Sequence, residues 1–305
     1  MGINQKLAFL QKILGLTQTQ LAQKLDVSFP TFNSWIRGRS LPHESKQRKI
    51  LQLYREVTGQ KEDFEDALHA KKAFLGHQKK LCSDPLKKIQ KRQDILDDLF
   101  LSFTYNTNSI EGSTLTLGET SAVLFEGITF RNKDLREHLE AKNHQVAMKF
   151  LFQTIRQQNF SEDYISEIHR ILMQGILEDA GLYRRHGVRI VGANVPTANY
   201  LKVPDLMQKL MKEIALKEKD VIAHVSRIHA LFEKIHPFSD GNGRVGRLIM
   251  AGMLLKAHFP PAVIEKKEKQ RYYKALQKAQ LKEDYEALED LVCESVLNGY
   301  KILID

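Results

Sequence analysis

Between Ile235 and Met250 the chain reads IHPFSDGNGRVGRLIM, and the twelve positions from His236 to Arg247 hold an imidazole, a carboxylate, an asparagine between two glycines, and two arginines. These residue types suit phosphate chemistry. A histidine changes charge near neutral pH and can take a proton from a nucleophile, and Asp240 supplies the hard oxygen that Mg2+ prefers. Gly241 and Gly243, on either side of Asn242, let backbone N–H groups approach an anion. Arg244-Val-Gly-Arg247-Leu-Ile-Met then reads as the first turns of a helix whose N-terminal dipole favours phosphate. Arg244 and Arg247, three residues apart, share a face of that helix and offer forked donors. A plainer reading of the same run is a loop between two helices, with Asp240 turning the chain and His236 capping a helix. A base, a metal ligand and two arginines at fixed offsets favour the phosphate site.

The run His-Pro-Phe-x-Asp-Gly-Asn-Gly-Arg-x-x-Arg, complete from His236 to Arg247, resembles the signature of the Fic (filamentation induced by cAMP) family, many of whose members move AMP from ATP to a protein hydroxyl. The resemblance implies ATP as substrate and Mg2+ as its companion. His236 would be the base and Asp240 the metal ligand. The amides of Gly241 to Gly243 with Asn242 would face developing charge, Arg244 the β-phosphate and Arg247 the γ-phosphate.

Thr107-Asn-Ser-Ile-Glu111-Gly112 is the next informative stretch. It reads as a helix C-terminus with Gly112 as a left-handed cap. Glu111 in the last turn opposes the helix dipole, so it calls for a nearby cation, unless it simply faces solvent. Ser/Thr-x-x-x-Glu-Gly also resembles the family's inhibitory motif. There the Glu pairs with the second signature arginine, here Arg247, and blocks the γ-phosphate. Its place ahead of the signature implies a class II, self-inhibited member.

The elements that must position these groups read mostly as helices. Leu86, Ile89, Ile95, Leu96, Leu99 and Phe100 predict one amphipathic helix that starts at Asp84-Pro85 and leads into the Glu111 stretch. Leu135 to Gln153 is a long helix with Ala141, Val146, Ala147 and Phe150 inward. His144 and His169 sit on or beside apolar stripes and read as packed histidines. Asp220 to Lys234 delivers His236 at its end, and Leu248 to Ala257, apolar nearly all round, should be central and buried. The one β-like passage pairs Val188–Val191 with Asn199–Val203 about a turn at 192–196. By the resemblance this hairpin is a flap at 189–202 on which an extended target segment pairs, and which brings Val191, Gly192, Ala193 and Asn194 near the nucleotide. Tyr272 and Tyr273 fit a family pattern near the adenine, or are core aromatics. Gln280 stands where relatives often have Asn at the base edge.

The front of the chain is different. Residues 1–92 carry eighteen Lys/Arg against eight Asp/Glu, whereas the remainder has twenty-eight against twenty-nine. The net charge of +9 therefore belongs to one region and its partner. Helical spacing at Leu7, Leu10, Ile13 and Leu14, an N-cap at Thr17, and a third helix from Phe29 to Arg37, capped by Ser28 and with Pro30 in its first turn, resemble the helix-turn-helix of the Cro/C1 phage-repressor family. The resemblance implies DNA as partner. Gln18, Thr31, Asn33, Ser34, Arg37 and Arg39 are the candidate contacts, Lys46, Arg48 and Lys49 further phosphate neutralisers, and a homodimer is expected if a palindrome is read. Phe29 and Phe32 depart from the usual polar reading face.

The whole is expected to be all-α. A helix-turn-helix bundle (1–58) is followed by a charged helical connector (59–93) and a multi-helix core with one β-hairpin flap (94–305) that includes an inhibitory helix around 100–112. Two cysteines, no signal-peptide pattern and no run long enough to span a membrane fit a cytoplasmic protein with no membrane partner. Two rivals remain. One is an enzyme that also removes AMP or transfers another group (phosphate or UMP); the other is a DNA-binding regulator whose second domain only senses nucleotide.

Overall fold

Capping residues set the helix starts of the front region. In the computed structural model, which describes residues 1–59, 66–189 and 195–304, α1 (Ile3–Leu14) ends at Gly15 in the left-handed region. Thr17 closes a capping box with Gln20 over α2 (Gln18–Lys24), and the Ser28 side chain accepts from the Thr31 N–H at the start of α3 (Phe29–Ile36). These helices, with α4 (Glu44–Thr58), bury Leu7, Leu10, Leu21, Phe32, Ile50 and Tyr54. Phe32 packs inward and Phe29 stays at the surface, so the two phenylalanines of α3 separate by face.

The chain divides into two compact units at Cys82/Ser83. The charged stretch that follows α4 is helical with a buried stripe: α5 (Ala67–Leu81) hides Ala70, Phe74 and Leu75 and packs on α4.

The second unit begins with α6 (Pro85–Lys91), capped by Asp84, and α7 (Gln93–Glu111). The single helix expected here is two, because Arg92 is extended (φ −119°, ψ 103°). Two short turns of helix follow, Leu117–Ser121 (α8) with a Thr116/Glu119 capping box and a wider π turn over Ala122–Glu126. Next come α9 (Leu135–Thr154), α10 (Glu162–Met173), α11 (Val203–Ile214), α12 (Val221–Ile235), α13 (Asn242–Lys256), α14 (Lys269–Lys282) and α15 (Glu286–Ile304). The centre is α13, buried from Arg244 through Leu255 and packed against α12, α10, α9 and α7. No strand occurs among the described residues. The strand expected at Asn199–Val203 is instead a 3-10 turn, Tyr200–Lys202, running into α11. The Asn199 side chain caps that turn by accepting from the Leu201 N–H, and Pro204 suits the first turn of a helix and offers no ladder donor. Val191, Gly192, Ala193 and Asn194 lie outside the described residues.

Candidate active site

The functional side chains converge because α12 and α13 are packed neighbours joined by only six residues, His236 to Gly241. α12 ends at His236, whose φ of 51° lies in the left-handed region. Pro237 prevents the helix from continuing. Asn242 then closes the loop: its Oδ1 accepts from the Phe238 N–H at 2.9 Å and its Nδ2 donates to the Phe238 carbonyl at 2.9 Å. This side chain, 1% exposed, is thus committed to the loop and does not face developing charge as expected. Gly241, at φ 75°, caps α13. The first N–H groups of α13 have no acceptor within the helix, which makes its start an anion site.

Two residues that the sequence did not single out for a role at the site hold this loop. His169 stacks on Phe238 with ring centroids 3.8 Å apart, accepts at Nδ1 from the Gly181 N–H (2.8 Å) and donates from Nε2 to the Asp240 carbonyl (3.1 Å). The Gly181 donor fixes the tautomer. Arg184, 2% exposed, donates to the carbonyls of His236 (2.7 Å), His186 (2.7 Å) and Ala198 (2.6 Å). It therefore caps the C-terminus of α12 and ties both sides of the 186–198 segment to it. The apolar stripe beside His169 marks it as packed without revealing its partner on the loop, and Arg184 has no periodic signal; the loop carbonyls they meet are 71 and 52 residues away.

His236 lines a cavity of about 830 Å³ together with Glu111, Asp240, Gly243, Arg247 and Tyr273, a volume in the range that holds a nucleotide-sized ligand. Its Nδ1 faces the Glu233 carbonyl at 3.3 Å. A carbonyl only accepts, so Nδ1 carries the proton and Nε2 keeps its lone pair. Burial above all pulls its pKa down to about 4, against the carbonyl contact that raises it, so the ring is neutral at pH 7. Behind it, Glu233 is buried, and that burial raises its pKa to about 8 against the pull of Arg247. A Cβ at Gly246 would lie 2.6 Å from Glu233 Oε1, so this glycine of α13 leaves room for that carboxyl group on α12.

Arg247 is 1% exposed and lies between two helices. Its Nη2 donates to Glu111 Oε1 at 2.5 Å and its Nε to the Thr107 hydroxyl, so both ends of the Thr107-to-Gly112 stretch hold one guanidinium. Burial works to lower its pKa, and Glu111, foremost among the charges around it, turns the net shift upward. Glu111 stands at the end of α7, with Gly112 (φ 113°) capping it. Its Oε1 would collide with a Cβ placed on Gly243, so the carboxylate rests over the first turn of α13. The anion site at that turn is occupied by a group of the chain itself.

Arg244 is also buried, at 2%, and meets a different carboxylate: Glu140 Oε1 lies 3.1 Å from its Nη1. It also approaches Asp240, with Nη2 3.8 Å from Oδ1. Expected at the β-phosphate, it lies among the residues lining the cavity, with its head held between Glu140 of α9 and the loop. Asp240 accepts from Arg136 on α9 and from the Gly241 N–H (2.6 Å). Burial favours its protonation, but Arg244 foremost and the Gly241 N–H outweigh it and lower the pKa. On the far wall, Tyr272 lines the cavity from a buried position: its hydroxyl meets His229 Nε2 at 2.8 Å behind Arg247. Tyr273 donates to the Ile110 carbonyl at 3.2 Å with its ring at the cavity. Gln280 donates to the Ala230 carbonyl at 3.3 Å, so its amide is engaged with α12.

In the first unit, Thr31, Arg37 and Arg39 are exposed. Asn33 donates to Gln18 Oε1 at 3.0 Å and Ser34 shares a hydrogen bond with Ser40 at 2.7 Å. Lys46, expected to be open to phosphate, donates to the carbonyls of Leu25 (3.1 Å) and Asp26 (2.7 Å) and caps α2.

Comparison with known proteins agrees with this geometry. Residues 159–254 match the Fic/DOC family. The chain is 31% identical over 237 residues to "Protein adenylyltransferase Fic" of Nematostella vectensis, covering 70% of this chain and 54% of the relative. It is 30% identical over 193 residues to "Protein adenylyltransferase fic-1" of Caenorhabditis elegans, covering 61% and 38%. The chain thus spans about half the length, or less, of these curated relatives. Its fold is similar to that of a Fic domain containing signaling protein from Bacteroides thetaiotaomicron (TM-score 0.62, 24% identity, 73% of this chain and 97% of that one). It is also similar to that of Fic-1 from C. elegans (TM-score 0.61, 21% identity, 96% and 98%). The His236–Arg247 run lies inside the stretch that matches the Fic/DOC family, and the fold around it is similar to the folds of these two proteins.

Proposed function

We propose that the chain is a protein adenylyltransferase that moves AMP from ATP to a Ser, Thr or Tyr hydroxyl of a target protein and is held back by its own Glu111. The observation that carries this reading is the Glu111–Arg247 pair lying over the start of α13, beside a neutral His236 whose Nε2 is free to accept a proton. The hydroxyl oxygen attacks the α-phosphorus, the bond to the bridging oxygen breaks, and pyrophosphate leaves. The hydroxyl proton passes to His236 Nε2. The N–H groups at the start of α13 receive the phosphate charge, so the protein contributes chiefly position and fixed dipoles. Among the described residues no three His, Cys, Asp or Glu gather into a metal cage. A single carboxylate completed by phosphate oxygens is a pattern Mg2+ accepts, and Asp240, at the cavity wall, is that carboxylate. Mg2+ held there would offset the charge of the α and β phosphates.

Glu111 opposes this chemistry by two contacts at once. It neutralises the guanidinium that a γ-phosphate would seek, and it covers the turn where that phosphate would rest. Replacing Glu111 by Gly is expected to raise self-labelling from α-32P-ATP at least tenfold, and His236→Ala in the same background to abolish it. Labelling unchanged in Glu111→Gly would overturn the inhibition, and labelling retained in His236→Ala would overturn the base.

A second reading of the same site draws on Glu111 being 31% exposed, within reach of a water. The carboxylate could then direct that water at a modified target and remove its AMP, which release of AMP from a pre-labelled target would reveal. A target segment would dock beside residues 189–202, without strand pairing at Tyr200–Lys202, which form a 3-10 turn. Residues 1–58 would add duplex DNA as a partner through Thr31, Arg37 and Arg39, exposed on and just after α3.

A further inference from the structure

Asp240 is the candidate ligand for a divalent cation, yet cations of the protein already answer its carboxylate. Arg136 Nη2 donates to Oδ2, and Arg244 Nη2 lies 3.8 Å from Oδ1. The same two arginines share Glu140 Oε1, at 3.0 Å from Arg136 Nε and 3.1 Å from Arg244 Nη1. Two carboxylates and two guanidiniums balance to zero net charge. The arginines differ in freedom. Arg244 is 2% exposed in the middle of the packed helices, whereas Arg136, in the first turn of α9, is 47% exposed and reaches the cavity rim. A long stem lets its head leave Asp240 while its Nε keeps Glu140.

A dication approaching Asp240 Oδ2 alone would meet a guanidinium already bonded there, and a second close behind. Like charges at such distances repel strongly where water is partly excluded. A nucleoside triphosphate brings more negative charge than its cation brings positive, so the pair together reverses that balance. We propose that Arg136 is a built-in counter-cation that occupies Asp240 in place of a divalent ion, so that the ion enters with its nucleotide and not ahead of it. The proposal rests on the adenylyl-transfer reading for the assignment of Asp240 as the ligand.

Mn2+ is the probe, its bound fraction measured by electron paramagnetic resonance on the full chain without nucleotide. The natural chain is expected to hold Mn2+ weakly. Arg136→Gln, which keeps a polar group near the position of the arginine Nε without the charge, should tighten it at least tenfold, and adding Asp240→Asn should remove that gain. Addition of a non-hydrolysable ATP analogue should bring the natural chain and Arg136→Gln to within about threefold of each other. If Arg136→Gln melts abnormally, Arg136→Ala provides the same comparison. Unchanged or weaker Mn2+ binding in a folded variant overturns the proposal, as does a gain that survives Asp240→Asn. No AMP transfer is needed for any of these readings, so absent labelling would count against the adenylyl-transfer reading alone.

Discussion

His236 combines an unusual backbone with an enclosed ring. A residue other than glycine at φ 51° costs some stability, and here the Arg184 fork on its own carbonyl holds it in place. Enclosure removes water from the imidazole and, more than any other influence, depresses its pKa to about 4. The base is the neutral form, so the rate should rise with pH only through that low value and be level across neutrality. Measured as kcat/KM for AMP transfer by the Glu111→Gly chain between about pH 4 and pH 8, the acid limb should lie well below the ordinary histidine value of about 6.5. A limb centred on that ordinary value would show that the ring is solvated and that its enclosure does not govern its chemistry.

At the scale of elements, the site depends on how α12 ends. Arg184 donates to four carbonyls, those of Ile235, His236, His186 and Ala198, so its removal leaves several acceptors without that partner. Arg184→Ala is expected to cost about 3 kcal/mol, which for a unit of this size lowers Tm by roughly 6–12 °C. A calorimetric scan showing less than about 2 °C of change would mean that water replaces the guanidinium at little cost. The helices themselves were legible because their signals are local: the Thr17, Ser28, Asp84 and Asp220 caps stand where the sequence puts helix starts, and Gly112 where it puts an end. Period alone served less well. Val146, placed inward by spacing, is exposed, while Gln145 and Met148 turn to the core; His144, read as packed, is buried. The supports of the site were not legible, since Arg136 meets Asp240 across 104 residues and His169 meets it across 71. The β-like residues at 199–203 misled for a related reason: branched side chains favour strands only where a partner strand exists, and here a local cap and Pro204 decide otherwise.

At the scale of the molecule, charge and chemistry belong to different parts of the chain. The surplus of basic residues lies in the first 92 positions, and the cavity lies wholly in the second unit. If the first unit grips duplex DNA through phosphates, affinity should fall steeply as salt rises from roughly 50 to 200 mM. The double variant Arg37→Ala, Arg39→Ala should lower the slope of log affinity against log salt by about 2, read by fluorescence anisotropy with a labelled duplex. Salt-independent binding, or none, would assign this face to a protein partner. The partial engagement of Asn33 and Ser34 with Gln18 and Ser40 predicts that phosphate contacts outweigh base contacts in that measurement.

The room that Gly246 leaves for Glu233 also has a historical consequence. Thirteen positions separate the two residues, yet any side chain at 246 would intrude on the glutamate carboxyl. A lineage that enlarges 246 must therefore make room on α12: at Glu233, whose carboxyl end can turn aside or be shortened, and also at His229 and Phe232, whose atoms would lie 3.1 Å from the new Cβ.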